Sequence, residues 1–224
     1  MAIGFDVAAN WDSNGTSATT ASVHATIGSN ANRAIVVNLG TSASASKSPV
    51  VTYSGTSDSI NNLGSIIGNG GTGALYEYLI LNPQSGAQSV TITLNASDAF
   101  RRLSISAYSG VQQSVPIDNI SSIINNSASS ITGVVTVNTT NSWVVMGVTN
   151  GNGQTPAAAG GDVVRTANSG GIAIADLNAD QSTGSKSIAV TGTAGNAWGA
   201  ITMSLAPAVS AVVSSSPLTL LGAG

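Results

Sequence analysis

One histidine, one glutamate and no cysteine leave this chain few ways to build an active site. His24 stands in the alternating stretch Ser22-Val23-His24-Ala25-Thr26, so it reads as a strand residue with one face in water. A serine–histidine–aspartate relay would have to use it, and no G-x-S-x-G elbow occurs in the sequence. Glycoside hydrolysis needs two placed carboxylates. The nine acids are Asp6, Asp12, Asp58, Glu77, Asp98, Asp118, Asp162, Asp176 and Asp180. They are scattered, mostly at expected turns, where aspartate serves local hydrogen bonding. Asp176-Leu177-Asn178-Ala179-Asp180 has the D-x-N-x-D spacing of a calcium loop. Gln181 replaces the glycine and Ser187 the final glutamate that such a loop needs. Gly68-Asn69-Gly70-Gly71-Thr72-Gly73 spells GxGxxG, but a strand-like segment follows where a dinucleotide site requires a helix. The expectation is a protein that is not an enzyme and has no cofactor.

Two further residue types bear on recognition. Arg101-Arg102 is the only dibasic pair, and in a strand one of the two points inward. An inward arginine needs a carboxylate, backbone carbonyls or an interface. Aromatic residues are scarce. Trp143 begins an apolar strand and reads as core, whereas Trp11 and Trp198 follow turns and read as core or edge cover.

Only 7% of residues are charged, against about 25% in ordinary domains. Ser, Thr, Asn and Gly fill the places of Lys and Glu. The net charge of −3 offers no basic patch for a phosphate backbone, so no nucleic-acid partner is expected. Without cysteine there is no disulfide or thiolate metal site. No apolar run approaches the ~18 residues of a membrane helix, and the first residues lack the pattern of a signal peptide. Apolar residues make up 42% of the chain and come in periodic runs, which excludes disorder for the body.

Alternating Val, Ile and Thr with Gly, Asn and Ser turns predicts an all-β chain of about a dozen short strands. The second half repeats the first. Leu81-Asn82 with its following Gly turn and strand is answered by Leu177-Asn178, and Ala34-Ile35-Val36-Val37 by Trp143-Val144-Val145-Met146. Val50-Val51-Thr52 is matched with Val163-Val164-Arg165. The repeat is placed at ~22–110 and ~131–206. The architecture expected is a double-sheet, jelly-roll-like β-sandwich, residues 1–206, built from two similar halves in one body. Residues 89–95 and 101–109 are expected to form a hairpin, 114–130 a connector, and 54–73 a surface loop that keeps Leu63, Ile66 and Ile67 out of the core. Residues 207–224 carry no charge and are expected to be an extended arm, with Val209, Val212, Val213, Leu218, Leu220 and Leu221 as subunit contacts.

The runs Val50-Val51-Thr52-Tyr53-Ser54-Gly55, Leu81-Asn82-Pro83-Gln84-Ser85-Gly86, Val90-Thr91-Ile92-Thr93-Leu94 and 104–110 carry a resemblance. Over residues 3–206 the chain resembles jelly-roll-like β-sandwich modules of phage virion and tail proteins and of secreted bacterial surface proteins. The resemblance implies a structural or attachment role with no catalytic residues to carry over. The expectation is therefore a structural virion protein, a phage capsid decoration or surface protein. Its expected partners are further copies of itself and other virion proteins. The alternative is a carbohydrate-binding or adhesive module of a tail fibre or bacterial surface, which would place it outside the cell or on its surface and in contact with glycans.

Overall fold

The computed structural model describes residues 1–42, 46–67, 73–151, 153–168 and 170–209. These are all β, with no helix among them. The strands are β1 (Gly4–Asp12), β2 (Ala18–Ile27), β3 (Ala34–Thr41), β4 (Val50–Tyr53), β5 (Ser59–Ile67), β6 (Ala74–Leu81), β7 (Gly86–Asp98) and β8 (Arg102–Ser109) in the first half. The second half holds β9 (Ile117–Val137), β10 (Trp143–Asn150), β11 (Ala157–Ala158), β12 (Val163–Ala167), β13 (Ile172–Asp176) and β14 (Gly184–Leu205).

The first eight strands make two antiparallel sheets, β1-β8-β3-β6-β5 and β2-β7-β4. Successive strands cross between the sheets except at β5 and β6, which pair within one sheet, so the path is jelly-roll-like. The second half follows the same path with two pairs of strands fused. β9 and β14 are long, and the register breaks between Thr191 and Asn196 divide their pairing into two stretches. Residues 117–125 of β9 and 196–205 of β14 extend the sheet of β10, β13 and β12. Residues 130–137 and 184–191, with β11, fold over that sheet. Each half is thus a complete β-sandwich, and the chain has four layers rather than one pair of sheets.

Burial follows the layers. β3, β6, β10 and β13 are buried at every position, because their sheets lie inside and have both faces covered. β7, in an outer sheet, alternates. Three apolar layers result. Val23, Ile35, Tyr76, Tyr78 and Ile92 fill the first sandwich. Val36, Leu79, Tyr108, Trp143, Val145 and Met203 lie between the halves. Ile131, Val144, Met146, Ile188 and Trp198 fill the second sandwich. Tyr76 and Tyr78 share one face, as their spacing requires, and the continuous apolar run at β3 is buried on both sides.

The halves stack back to back with their strand orders reversed. β1 lies against β12, β3 against β10 and β13, and β5 against β14. An approximate twofold axis therefore runs along β3 and β10, and counterpart positions meet across it. A side chain at Gly147 would run into Glu77 and Asn38, whose place in β3 is that of Gly147 in β10. A side chain at Gly40 would meet Thr149, its own counterpart, in the same way. The duplication shows in the turns too. Asn32 and Asn141, Gly73 and Gly171, Asn82 and Asn178, and Gly86 and Gly184 all have positive φ at matching places. Asp6 accepts the Gly28 amide at 2.7 Å, as Asp118 accepts those of Asn138 and Thr139.

Several expectations need correction. The repeat begins at β1 and β9, not at residues 22 and 131. β9 is rich in small polar residues, so its alternation is weak. Val50-Val51-Thr52 lies in β4, whose counterpart is β11. Val163-Val164-Arg165 opens β12, the counterpart of β5. Residues 89–95 and 101–109 do not pair with each other: β7 joins β2 and β4, while β8 joins β1 and β3. The connector at 114–130 is largely strand, the first part of β9. The supposed loop contains β5, which pairs with β6. There Leu63 packs against the layer between the halves and Ile66 is buried with Leu75 and Ile201, while Ile67 stays exposed.

Candidate functional site

Most of the groups that could do chemistry are bonded within the fold, and one cluster joins its halves. Asp176 ends β13 fully buried. Arg165 of β12 grips it with two bonds, Nε to Oδ2 at 2.7 Å and Nη2 to Oδ1 at 2.9 Å. The Tyr108 hydroxyl donates to the same carboxylate at 3.0 Å. Burial and the Asp176 charge hold the Tyr108 phenol well above its ordinary pKa. The guanidinium also lies over the Phe5 ring, 4.1 Å from its centre. Asn178 turns with φ of 52° and accepts from Arg165. The D-x-N-x-D spacing is therefore filled by an arginine. Among the described residues no three His, Asp or Glu side chains gather as a cation site.

The other acids are dispersed in the same manner. Asp162 accepts the Ala189 amide at 2.7 Å, and buried Asp98 accepts from the Ser42 hydroxyl and the Phe100 amide. Asp12 pairs with Arg102 at 3.5 Å. The arginine pair divides as its strand position requires. Arg101 turns inward and donates to the carbonyls of Asp98, Thr16 and Thr20, beside Trp11. Glu77 is fully buried beside Gly147, and burial pushes its pKa well above the ordinary carboxyl value. The Gly147 amide favours the charged form in part, yet neither carboxyl oxygen closes a hydrogen bond among the described residues.

His24 is exposed on β2, as its alternation indicates, and lines a shallow cleft of about 480 Å³ with Thr26, Ser54, Gln88 and Ser89. Ser54 and Gln88 bond to each other across it. Trp143 and Trp198 are core, and the Trp198 indole donates to the Ala128 carbonyl. The GxGxxG glycines at 68–72 lie outside the described residues; strand β6 follows Gly73, as the sequence indicates.

The surface that stands out is β9. Among the described residues it pairs with β14 alone, so its other edge is open over most of 21 residues. Asp118 is its only charged residue. Ile120, Ile123, Ile124 and Val134 are exposed along it. Long, uncharged, apolar strand edges are association sites unless blunted. Next to it, where the edges of β5 and β9 meet across the stack, lies a groove of about 160 Å³ lined by Leu63, Gly64, Ser65, Ile120, Ser122 and Ile201. This strand takes up most of the expected connector at 114–130. Its local signal is the pair Ile123-Ile124, which in a strand puts one isoleucine on each face.

Of the six arm residues proposed as contacts, Val209 is described and is 78% exposed. Val212, Val213, Leu218, Leu220 and Leu221 lie outside the described residues. The first arm residues belong to the body. Pro207 bridges Val111, the Ala208 amide donates to the Gly110 carbonyl, and the N-terminal amine donates to the Ala208 carbonyl.

Comparison with models of known protein families, with curated protein sequences and with solved structures finds no match.

Proposed function

We propose that this chain is a structural protein of a virus-like particle, a phage capsid decoration or surface protein, and that it works by packing rather than by turnover. The observation that carries the reading is the open β9 edge, uncharged beyond Asp118 and studded with exposed isoleucines. A monomer in water would ordinarily blunt such an edge with charge or proline. Supporting it, most of the acids and arginines are bonded within the fold, and the fold is of a kind that serves viral shells and lectins alike, which is an analogy of fold only. Electron microscopy of the purified chain, alone and with candidate capsids, tests the reading. Ordered oligomers on the particle surface are expected. Bare particles beside a monomer that stays single at high concentration would refute it.

The cleft beside His24 favours a second reading, a glycan-binding or adhesive module at a tail fibre or cell surface. Its lining of hydroxyl, amide and imidazole groups suits sugar hydroxyls. Glycan binding that disappears in both His24→Ala and Gln88→Ala would support that reading over the first.

A further inference from the structure

The approximate twofold axis allows the two seams of the stack to be compared within one molecule. On one side β1 faces β12. There Asn10 donates to the Ala167 carbonyl at 3.2 Å, and the Arg102–Asp12 pair occupies the space a side chain at Gly170 would need. On the other side the counterparts, β9 and β5, leave the 160 Å³ groove, floored by Ile201 and flanked by Leu63 and Ile120. Ile120, Ser122 and Ile124 lie on one face of β9, the face whose neighbours on β14 include Met203 and Ile201. These two residues look toward the first half. One seam is closed by polar groups, and the other is open, with Leu63, Ile120 and Ile201 lining it among the serines at 65, 121 and 122.

We propose that the open seam receives residues 210–224 of a second copy of this chain, added as an antiparallel strand along residues 117–124. The segment has no charged residue and carries Val212, Val213, Leu218, Leu220 and Leu221. It matches an edge that is itself uncharged beyond Asp118. Its length suffices: fifteen extended residues span about 50 Å, and the strand at 117–124 needs about 27 Å.

Direction decides between a copy's own segment and a neighbour's. β9 begins where β14 ends, since Ile117 pairs with Leu205. β5 begins at the same end of the stack. The bonds of residues 206–208 to 110–112, Pro116 and Met1 hold the departing chain at that end. A segment turning back from there would run parallel to both β9 and β5. Every strand pair described in this protein is antiparallel, and parallel pairing is the weaker of the two. An antiparallel strand must enter from the far end, near Ile124, and so must come from another copy. Apolar side chains in the groove then give register, and main-chain bonds give affinity.

The proposal rests on the assembly reading above, and self-association of the purified chain tests it apart from any particle. Three proteins are compared by mass photometry and sedimentation: the full chain, the chain ending at Val209, and the full chain with Ser122→Lys. Ser122 is exposed, so the lysine blocks the groove without entering the core; matching circular dichroism and melting curves establish that all three fold. The full chain is expected to assemble and each variant to be monomeric. Mixing the two variants is expected to restore a one-to-one complex, because one keeps the groove and the other the segment. Three results would overturn the proposal: a truncated chain that assembles like the full one, a mixture that stays monomeric, or a full chain that is itself monomeric. A chain that exchanges segments but ignores every particle leaves this inference standing and removes the virion reading.

Discussion

Glu77, the one glutamate, sits where a catalytic carboxylate would draw attention, and its surroundings assign it a structural place instead. It fills the space left by Gly147 on the facing sheet. Burial raises its pKa above the ordinary value of 4.5, so the folded chain holds it neutral over a range where the unfolded chain ionises it. The stability this gives is complete below the unfolded pKa and is lost as pH rises toward the folded one. Glu77→Gln should therefore melt like the parent near pH ~4 and above it at pH ~7–8, with the parent's decline across that range reduced. Parallel melting curves for the two would contradict this. Arg165 offers a second case, an ion pair with a fully buried carboxylate. Arg165→Met leaves the Asp176 charge buried and should cost about 3–5 kcal/mol in chemical denaturation. Adding Asp176→Asn should recover most of that loss while keeping an acceptor for Tyr108. A double variant no better than the single would show that Arg165 acts through packing over Phe5 alone.

At the scale of elements, legibility follows the layers. β3, β6 and β10 were legible because inner strands must be apolar throughout, and the arginine pair was legible because strand alternation sends one of two neighbours inward. The left-handed turns at Asn82 and Asn178 gave the repeat away. β9 was not legible. Its two stretches lie in different layers, and small polar residues cover what alternation it has. β5 was hidden by glycine and asparagine, and the groove depends on the edges of β5 and β9 lying side by side, a contact with no local sequence signal. The expected arm contacts came from composition alone, which marks an unoccupied apolar segment and not the surface it fits. The duplicated caps make a test at this scale. Asp118 holds two amides and the Thr139 hydroxyl, whereas Asp6 holds the single Gly28 amide. Asp118→Ala should cost about 1–2 kcal/mol and Asp6→Ala less. Equal losses would mean that the two caps do not bear on their halves as their bonds indicate.

The whole molecule behaves, in this account, as a dimer of jelly rolls joined in one chain, with the twofold axis along β3 and β10. Fusion makes the two contact faces free to differ. Asn38 and Glu77 in the first half face Gly147 and Ile174 at the corresponding places in the second, a large polar pair against a small apolar one. Asn38 reaches across to the carbonyls of Val148 and Ala173. A pair of identical subunits would instead set asparagine against asparagine. The register of this stack is open to a direct test, because the chain has no cysteine of its own. A Cβ at Gly40 would stand 3.9 Å from the Cβ of Thr149, within the range a disulfide spans. The measurement is the thiol count and mass of Gly40→Cys/Thr149→Cys after refolding in oxidised glutathione. One disulfide within each chain is expected, closing a loop of more than a hundred residues and adding up to about 4–5 kcal/mol to stability. Two free thiols, or links only between chains, would contradict it.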